Sequence, residues 1–321
     1  MTPLETGGYY TPVLPNARFP MFSPLLFPPP LQPGDTLEII APSGALKEYS
    51  ALAAGVKVWQ DRGYEIALCD SWRQRYGYLA GSDLQRRQAL LDAWQGVAQG
   101  VLCARGGYGG ARLLEGWTWP DLPPKWLIGF SDITSLLWSL ATQGLGGVHG
   151  PVLTTLAQEP EWSKQRLFDC VEGRPLAPLQ GQAWQGGTVT GRLLPANLTV
   201  ATHLLCTPLE PNLAGVILAL EDVAEAPYRL DRMLTQWRLS GRLEALGGLA
   251  LGRFSRCEGN PETWTVEEML RDRLSDLPCP IVADLPFGHD GPNAALPVGA
   301  VVTLDGEQGV LSFVAKPQEK G

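Results

Sequence analysis

The segment KWLIGFSDITSLLWSL, residues 125–140, combines a predicted strand, a sharp turn and a predicted helix. Its first six residues form a short, mostly apolar run, which is typical of a buried strand. The later apolar residues repeat at helical spacing. Ser131 and Asp132 stand at the junction, and both residue types are favoured at helix N-caps. Ser131 is therefore either a helix cap or a nucleophile that a strand-to-helix turn lifts above a sheet. The usual elbow, G-x-S-x-G, lacks its second glycine here, so the local pattern leaves both interpretations open.

The same alternation of apolar strands and helices extends towards the N-terminus. Apolar runs precede helical segments in GDTLEIIAPSG (34–44), YEIALCD (64–70) and GVLCA (100–104). This pattern predicts a parallel, doubly wound sheet of the flavodoxin or Rossmann type. Ligands bind such sheets beyond the carboxyl ends of the strands, where the loops 105–110 and 129–134 both lie. We therefore expect these two loops to be neighbours in space.

The second half of the chain has a different pattern. Short β-rich runs are separated by turns, and one amphipathic helix, YRLDRMLTQWRLSG (228–241), lies among them. This favours a mixed, β-rich domain of a swivelling or barrel-like kind. The sequence therefore predicts an α/β protein with two domains. It has a Pro-rich extension at 1–30, an N-terminal α/β domain at 31–160, a linker at 161–185 and a C-terminal β-rich domain at 186–316.

Composition and charge narrow the classes of function. The 321 residues carry a net charge of −8 with no run of Lys and Arg, which argues against nucleic acid or an anionic membrane as a partner. The six cysteines form no C-x-x-C pair and no zinc-type spacing, so we expect free thiols in a reducing compartment and no metal. The first thirty residues resemble neither a signal peptide nor a membrane span. These features predict a cytoplasmic protein.

A glycine-rich loop, ARGGYGGA (104–111), follows the predicted strand 100–104. Gly107 and Gly109 match part of a dinucleotide fingerprint, but Arg112 replaces its third glycine. Glycines also let backbone N–H groups approach a ligand oxygen closely. An oxyanion hole fits this loop as well as a phosphate site does.

Glu221 and the three histidines are the remaining candidates for catalytic residues. Glu221 ends the apolar run GVILALED and is either a buried functional carboxylate or a surface acid paired with an arginine. His289 lies in the Gly- and Pro-rich loop FGHDGP, and His149 in GGVHGP competes with it as a base. His203, in the apolar stretch TVATHLLC, reads as a core or interface histidine. The pattern does not separate His149 from His289.

Five motifs occur in order along the chain: ARGGYGGARLL, KWLIGFSDITSL, HGP, LALEDVAEAPYRLDRML and FGHDGPNAALPVG. Their series resembles that of the LD-carboxypeptidase family of S66-type serine peptidases, and the resemblance extends from about residue 31 to 313. It implies a catalytic triad of Ser131, Glu221 and His289, which would lie in the cleft between the two domains. It further implies an oxyanion hole formed by backbone N–H groups of Gly107 and Asp132.

The resemblance also implies a substrate and a mode of assembly. Family members include murein tetrapeptide carboxypeptidases, so the expected substrate is a small muropeptide from which a terminal D-alanine is released, without a cofactor, by a homodimer. An arginine suits the free carboxylate of such a peptide, and Arg105, Tyr108 and Arg229 are the candidate substrate-binding residues. Pro195 and Ala196 depart from the family pattern, because family members usually carry two glycines there.

Two other functions remain open at this point. The family also includes microcin C immunity peptidases, which cleave aminoacyl or peptidyl nucleotides. A non-catalytic two-domain peptide-binding protein is the alternative from another class, but it would leave the joint presence of Ser131, Glu221 and His289 unexplained.

Overall fold

The computed structural model describes residues 25–67, 70–121, 123–259 and 262–314. The strands within these ranges are β1 (Thr36–Ile40), β2 (Glu65–Ala67), β3 (Gly100–Cys103), β4 (Trp126–Gly129), β5 (Gly147–His149), β6 (Leu179–Gln180), β7 (Gln182–Gln185), β8 (Thr188–Asn197), β9 (Ile217–Val223), β10 (Gly248–Ser255), β11 (Ile281–Ala283), β12 (Leu296–Val298), β13 (Val301–Asp305) and β14 (Val310–Phe313). The helices are α1 (Tyr49–Asp61), α2 (Asp83–Gln95), α3 (Gly110–Leu113), α4 (Thr134–Thr142), α5 (Leu153–Leu156), α6 (Glu161–Val171), α7 (Leu198–Leu204), α8 (Pro227–Leu239) and α9 (Val266–Leu274), with short 3₁₀ turns at Asp70–Arg73 and Ser131–Ile133.

The first sheet has the strand order β2-β1-β3-β4-β5-β12. The five strands from β2 to β5 are parallel, and β12 pairs antiparallel with β5 at the edge. All four residues of β3 and of β4 are buried, because helices cover both faces of a parallel sheet. The order 2-1-3-4-5 is the flavodoxin-like order, so the predicted doubly wound sheet is confirmed.

The second sheet has the order β6-β14-β13-β8-β9-β10-β11-β7. Strands β8 to β11 are parallel, and the others pair antiparallel. Its two end strands are consecutive in the chain, with only Gly181 between them. The sheet is therefore nearly closed, and the predicted barrel-like β domain is confirmed.

The chain crosses between the two predicted domains more than once. Helix α6 and strands β6 and β7 occupy the segment predicted as a linker, 161–185. Strand β12 comes from the β-rich half but belongs to the first sheet, where Leu296 pairs with His149. The domain boundaries themselves stay a prediction.

Residues 1–24 of the predicted Pro-rich extension lie outside the described residues. Residues 25–30 are packed against the first domain rather than detached from it. Leu25 is buried, and the backbone N–H of Leu26 donates to the carbonyl of Gly144 at 2.8 Å. The described part of the extension thus packs against the first domain.

Local sequence explains where the helices begin and end. Ser82 caps α2 in a capping box with Gln85, as its residue type predicts. Helix α8 is followed by Ser240 and by Gly241 at φ +69°, the left-handed conformation that ends many helices. Within the described ranges, no helix is long and apolar enough to span a bilayer.

Candidate active site

Ser131 adopts an unusual backbone conformation at the carboxyl end of β4. Its φ is +64°, in the left-handed region that side chains with a Cβ rarely occupy. The preceding residue, Phe130, is extended, and a 3₁₀ turn at Ser131–Ile133 leads directly into α4. This is a strand-to-helix turn of the kind that displays a nucleophile above a sheet.

Ser131 is joined to His289 and Glu221 by two hydrogen bonds. The Ser131 Oγ lies 3.0 Å from His289 Nε2, and His289 Nδ1 lies 2.6 Å from Glu221 Oε2. Ser131 comes from the first sheet, Glu221 from β9 of the second sheet, and His289 from the loop after β11. The structure therefore brings together three residues that are far apart in the sequence.

Glu221 is fully buried in β9, two residues before the strand ends. Burial raises the pKa of its carboxyl, and the hydrogen bond and positive charge that His289 can offer oppose this rise. Its second oxygen, Oε1, lies 3.3 Å from the Nδ2 of Asn197, which also donates to Asp222 Oδ1 at 3.0 Å. Asp222 is held in turn by the backbone N–H and hydroxyl of Thr199 at 2.9 and 2.8 Å. These contacts fix the carboxylate that orients His289.

Asp132 ties the turn of Ser131 to two neighbouring loops. Its side chain is buried, and its Oδ2 accepts hydrogen bonds from Ser43 Oγ at 2.5 Å and from the backbone N–H of Gly110 at 2.7 Å. Burial raises the pKa of this carboxyl, while both hydrogen bonds favour its ionised form. A Cβ at Gly110 would lie 2.9 Å from Asp132 Oδ2, so the close approach requires glycine.

The glycine loop lies directly against Ser131, as the sheet topology predicts. A Cβ placed at Gly106 would be 3.1 Å from Ser131 Oγ. The next residue, Gly107, has φ +113°, which a side chain would strain. The loop can therefore approach a substrate carbonyl at Ser131 with its backbone.

The three histidines occupy very different environments. His149 is fully buried between the rings of Phe130 and Phe287, and neither of its ring nitrogens has a hydrogen-bond partner within the described residues. Burial, with a smaller effect of His289, lowers its pKa to about 3. His203 is exposed on α7, so the core position predicted as one alternative is wrong, and the interface alternative stays a prediction.

The three candidate substrate-binding residues lie in two different clefts. Arg105 and Tyr108 line a cleft of about 700 Å³ that also includes Gly107. Arg229 lines another cleft, of about 740 Å³, along α7 and α8, where it forms a 3.4 Å ion pair with Glu225. The two arginines are therefore not parts of one carboxylate site.

Sequence patterns did not single out several residues of the site, among them Ser43, Gly106 and Asp222. Asn197 did carry a signal, since an Asn before an apolar helical segment predicts an N-cap, and its side chain does accept from the N–H of Val200 at 3.1 Å. Among the described residues, no group of three or more His, Cys, Asp or Glu side chains could hold a metal ion.

Two family models match separate parts of the chain. Models of the LD-carboxypeptidase N-terminal domain and C-terminal domain match residues 37–150 and 190–304, respectively. The chain belongs to the LD-carboxypeptidase family. It is therefore an S66-type peptidase, with the sheet and barrel described above.

Two relatives of this LD-carboxypeptidase illustrate the extent of the similarity. A protein of Synechocystis sp. named "Putative carboxypeptidase slr1534" is 57% identical over 294 residues, which cover 90% of this chain and 97% of the relative. The murein tetrapeptide carboxypeptidase of Pseudomonas aeruginosa is 34% identical over 84% of this chain and 93% of its own length.

Solved structures share the fold. The crystal structure of muramoyltetrapeptide carboxypeptidase from Oxalobacter formigenes superposes with a TM-score of 0.76 at 29% identity, covering 86% of this chain and 97% of the other. The microcin C7 self immunity protein MccF, in complex with glutamyl sulfamoyl guanosine, gives a TM-score of 0.82 at 19% identity, covering 91% and 99%. At that identity the second similarity concerns the fold alone.

The departure from the family pattern at Pro195 and Ala196 lies inside β8. Both residues are buried and pair with β9 at Ala219 and Leu220. The pairing of β8 with β13 ends at Arg192, so the N–H that proline lacks removes no ladder hydrogen bond on that side. The indole N–H of Trp138 donates to the Pro195 carbonyl at 3.1 Å.

Proposed function

We propose that this LD-carboxypeptidase is a serine carboxypeptidase that hydrolyses the terminal L,D-peptide bond of a murein tetrapeptide and releases D-alanine. The observation that carries the proposal is the chain of contacts from Ser131 Oγ through the imidazole of His289 to Glu221. The similarity to the murein tetrapeptide carboxypeptidase of Pseudomonas aeruginosa supports this class of substrate.

The proposed mechanism assigns one role to each member of the triad. With Nδ1–H donating to Glu221, the Nε2 of His289 accepts the hydroxyl proton as Ser131 attacks the scissile carbonyl. The imidazolium then donates this proton to the amine of the leaving D-alanine. Buried Glu221 stabilises the imidazolium, and water releases the acyl group from Ser131 in a second cycle of the same steps.

The oxyanion that forms on the scissile carbonyl needs hydrogen-bond donors. We assign this role to the backbone N–H groups of Gly107 and Asp132, because the glycine loop and the turn of Ser131 lie in contact. Loss of one such donor typically raises the barrier by about 3 kcal/mol. Arg105 and Tyr108, which share a cleft with Gly107, are the proposed contacts of the terminal carboxylate. Arg229, which lines a different cleft, is a separate candidate.

Release of D-alanine from murein tetrapeptide tests the proposal. The native protein and the control Ser240→Ala should release D-alanine at equal rates, and Ser131→Ala should release none. Equal release by Ser131→Ala would remove this serine from the mechanism. No release by any protein would overturn the substrate assignment.

The same assay separates the alternatives. Hydrolysis of an aminoacyl or peptidyl nucleotide, without hydrolysis of the tetrapeptide, would indicate the immunity function suggested by the fold of MccF. Tight peptide binding without any turnover would indicate a binding protein. We further propose that the enzyme is a cytoplasmic homodimer, which sedimentation of the purified protein and fractionation of its host would test.

A further inference from the structure

The cleft beside Gly107 is lined by three cationic side chains, Lys47, Arg75 and Arg105. No carboxylate lines it, and within the described ranges none of the three cations forms an ion pair. The whole chain has a net charge of −8, so this concentration of positive charge is local. Like charges that share a cleft repel one another unless an anion lies between them.

Main-chain hydrogen bonds hold the walls of the cleft in place. The segment after β1 is bonded to the turn at 76–79, through Ala45 N–H to the Tyr78 carbonyl at 2.9 Å. Arg75 Nη2 donates to the Leu46 carbonyl at 3.1 Å, and Arg105 Nη1 donates to the Ala45 carbonyl at 2.7 Å. Each guanidinium thereby keeps further N–H groups available while its position is fixed.

The cleft lies beside the loop that contacts Ser131. Gly107 lines it, and the adjacent Gly106 is in contact with Ser131. The terminal carboxylate of a carboxypeptidase substrate lies only two bonds from the scissile nitrogen, so it requires one cation close to Ser131. Arg105, two residues before Gly107 in the same loop, fits this role. Lys47 and Arg75 are then in excess of what the terminal carboxylate needs.

We propose that Lys47 and Arg75 form a subsite that binds a second carboxylate of the peptide substrate, beside the terminal carboxylate bound by Arg105. The inference rests on the proposed peptidase function and specifies its substrate as a peptide with at least two carboxylates. Tyr78 and Tyr108, whose exposed rings meet edge to face at 5.8 Å, form an aromatic wall for the peptide in the same cleft.

Two tetrapeptides that differ by one charge test the subsite. Both end in the same L,D bond and a free carboxylate, and the residue that supplies the scissile carbonyl has a side-chain carboxylate in one and its primary amide in the other. Native enzyme should prefer the carboxylate peptide by roughly three- to tenfold in kcat/KM, the range for partly exposed ion pairs. The preference should appear in KM and decrease with added salt.

Lys47→Gln and Arg75→Gln should each reduce this preference, and together abolish it, because they lower kcat/KM for the carboxylate peptide more than for the amide peptide. Lys47→Gln is the cleaner variant, because Arg75 also bonds to the Leu46 carbonyl. The matched control is Lys57→Gln, since Lys57 is exposed on α1 and pairs with Asp61 at 2.7 Å. Equal rates for both peptides with native enzyme, or a preference that survives the double variant, would overturn the proposal.

A failure of the proposed function itself has a different signature. If native protein hydrolyses neither peptide, binding of both to Ser131→Ala is measured by calorimetry. Tighter binding of the carboxylate peptide that is lost with Lys47→Gln would support the subsite, and the protein would then catalyse a different reaction. Equal affinities would reject the subsite independently of catalysis.

Discussion

Gly106 lies closer to Ser131 than a residue with a side chain could lie at position 106. A Cβ built on Gly106 would lie 2.9 Å from the Cβ of Ser131 and 3.1 Å from its hydroxyl oxygen. The two residues lie in the loops that follow neighbouring parallel strands, β3 and β4. The glycine loop and the serine turn therefore form one surface, and the geometry of each depends on the other.

Gly106→Ala should impair catalysis more than folding. The added methyl group must displace Ser131 by a few tenths of an ångström, and a misplaced nucleophile can cost roughly 10²-fold in rate. We expect kcat to fall by about this factor, with a small change in Tm. The control is Gly186→Ala, where the nearest atom to the new Cβ is at an ordinary 3.4 Å. Full activity of Gly106→Ala would show that the glycine loop moves to accommodate the methyl group and that Ser131 keeps its position.

Glu221→Gln should remove the charge that we propose stabilises the His289 imidazolium, while it keeps the shape of the side chain. In triads of this kind such a change lowers kcat by roughly 10³- to 10⁴-fold. Steady-state kinetics on the tetrapeptide would measure the loss. Glu267→Gln, in an exposed pair with Arg271 on α9, is the matched control and should keep native rates. A loss of less than tenfold in Glu221→Gln would contradict the role proposed for this carboxylate.

Ser43→Ala should destabilise the protein through Asp132. The change leaves a buried carboxylate oxygen with the Gly110 N–H but without the serine hydroxyl, and such losses cost about 1–3 kcal/mol of unfolding free energy. Urea unfolding would measure it. Ser240→Ala removes a hydroxyl that donates to the Trp237 carbonyl at the partly exposed end of α8, and it should cost less. The prediction fails if the two variants lose equal stability.

His149 should make the stability of the protein depend on pH. Its pKa is lowered to about 3 in the folded state from an ordinary value of 6.5, so below pH 6.5 the unfolded chain binds a proton that the folded chain does not. The contribution of neutral His149 to the free energy of unfolding is fully present above pH 6.5 and is lost as the pH falls towards 3. Between pH 7.5 and 5.0 this loss amounts to about 2 kcal/mol.

Urea unfolding of native protein and His149→Leu at these two pH values checks this effect. We subtract the unfolding free energy of His149→Leu from that of the native protein at each pH. This difference should be lower at pH 5.0 than at pH 7.5 by about 2 kcal/mol. His149→Phe, which keeps a ring between Phe130 and Phe287, should behave as His149→Leu does. A difference that does not change with pH would mean that His149 becomes protonated in the folded protein.

The doubly wound parallel sheet and the proximity of the two site loops followed from local pattern, whereas the strand order and the buried face of α2 did not. In GSDLQRRQALLDAWQG (81–96) the spacing of Leu84, Leu91 and Trp94 predicts one apolar helix face, yet Leu84 is 76% exposed and Arg86 is buried. Arg86 occupies the interior because its guanidinium donates to the carbonyls of Pro42 and Gly109. Periodicity favours apolar residues for the core and cannot recognise a cation whose partners come from distant loops.

The choice between His149 and His289 was likewise beyond local pattern, because each lies in a short segment of Gly and Pro. Their surroundings in the fold decide it: His149 is enclosed by Phe130 and Phe287, while His289 contacts Ser131 and Glu221. A clear distinction appears only when segments from both sheets meet.

The sequence by itself determined the alternating strands and helices, the positions of Ser131 and the glycine loop at strand ends, and the family resemblance of the ordered motifs. These are properties of short segments, set by hydrophobic spacing, glycine and capping residues. Only the tertiary structure decided the left-handed conformation of Ser131, its contact with His289 158 positions away, and the burial of Glu221 beside Asn197. Those features arise from packing between the two sheets, where free energy depends on distances that no local pattern encodes.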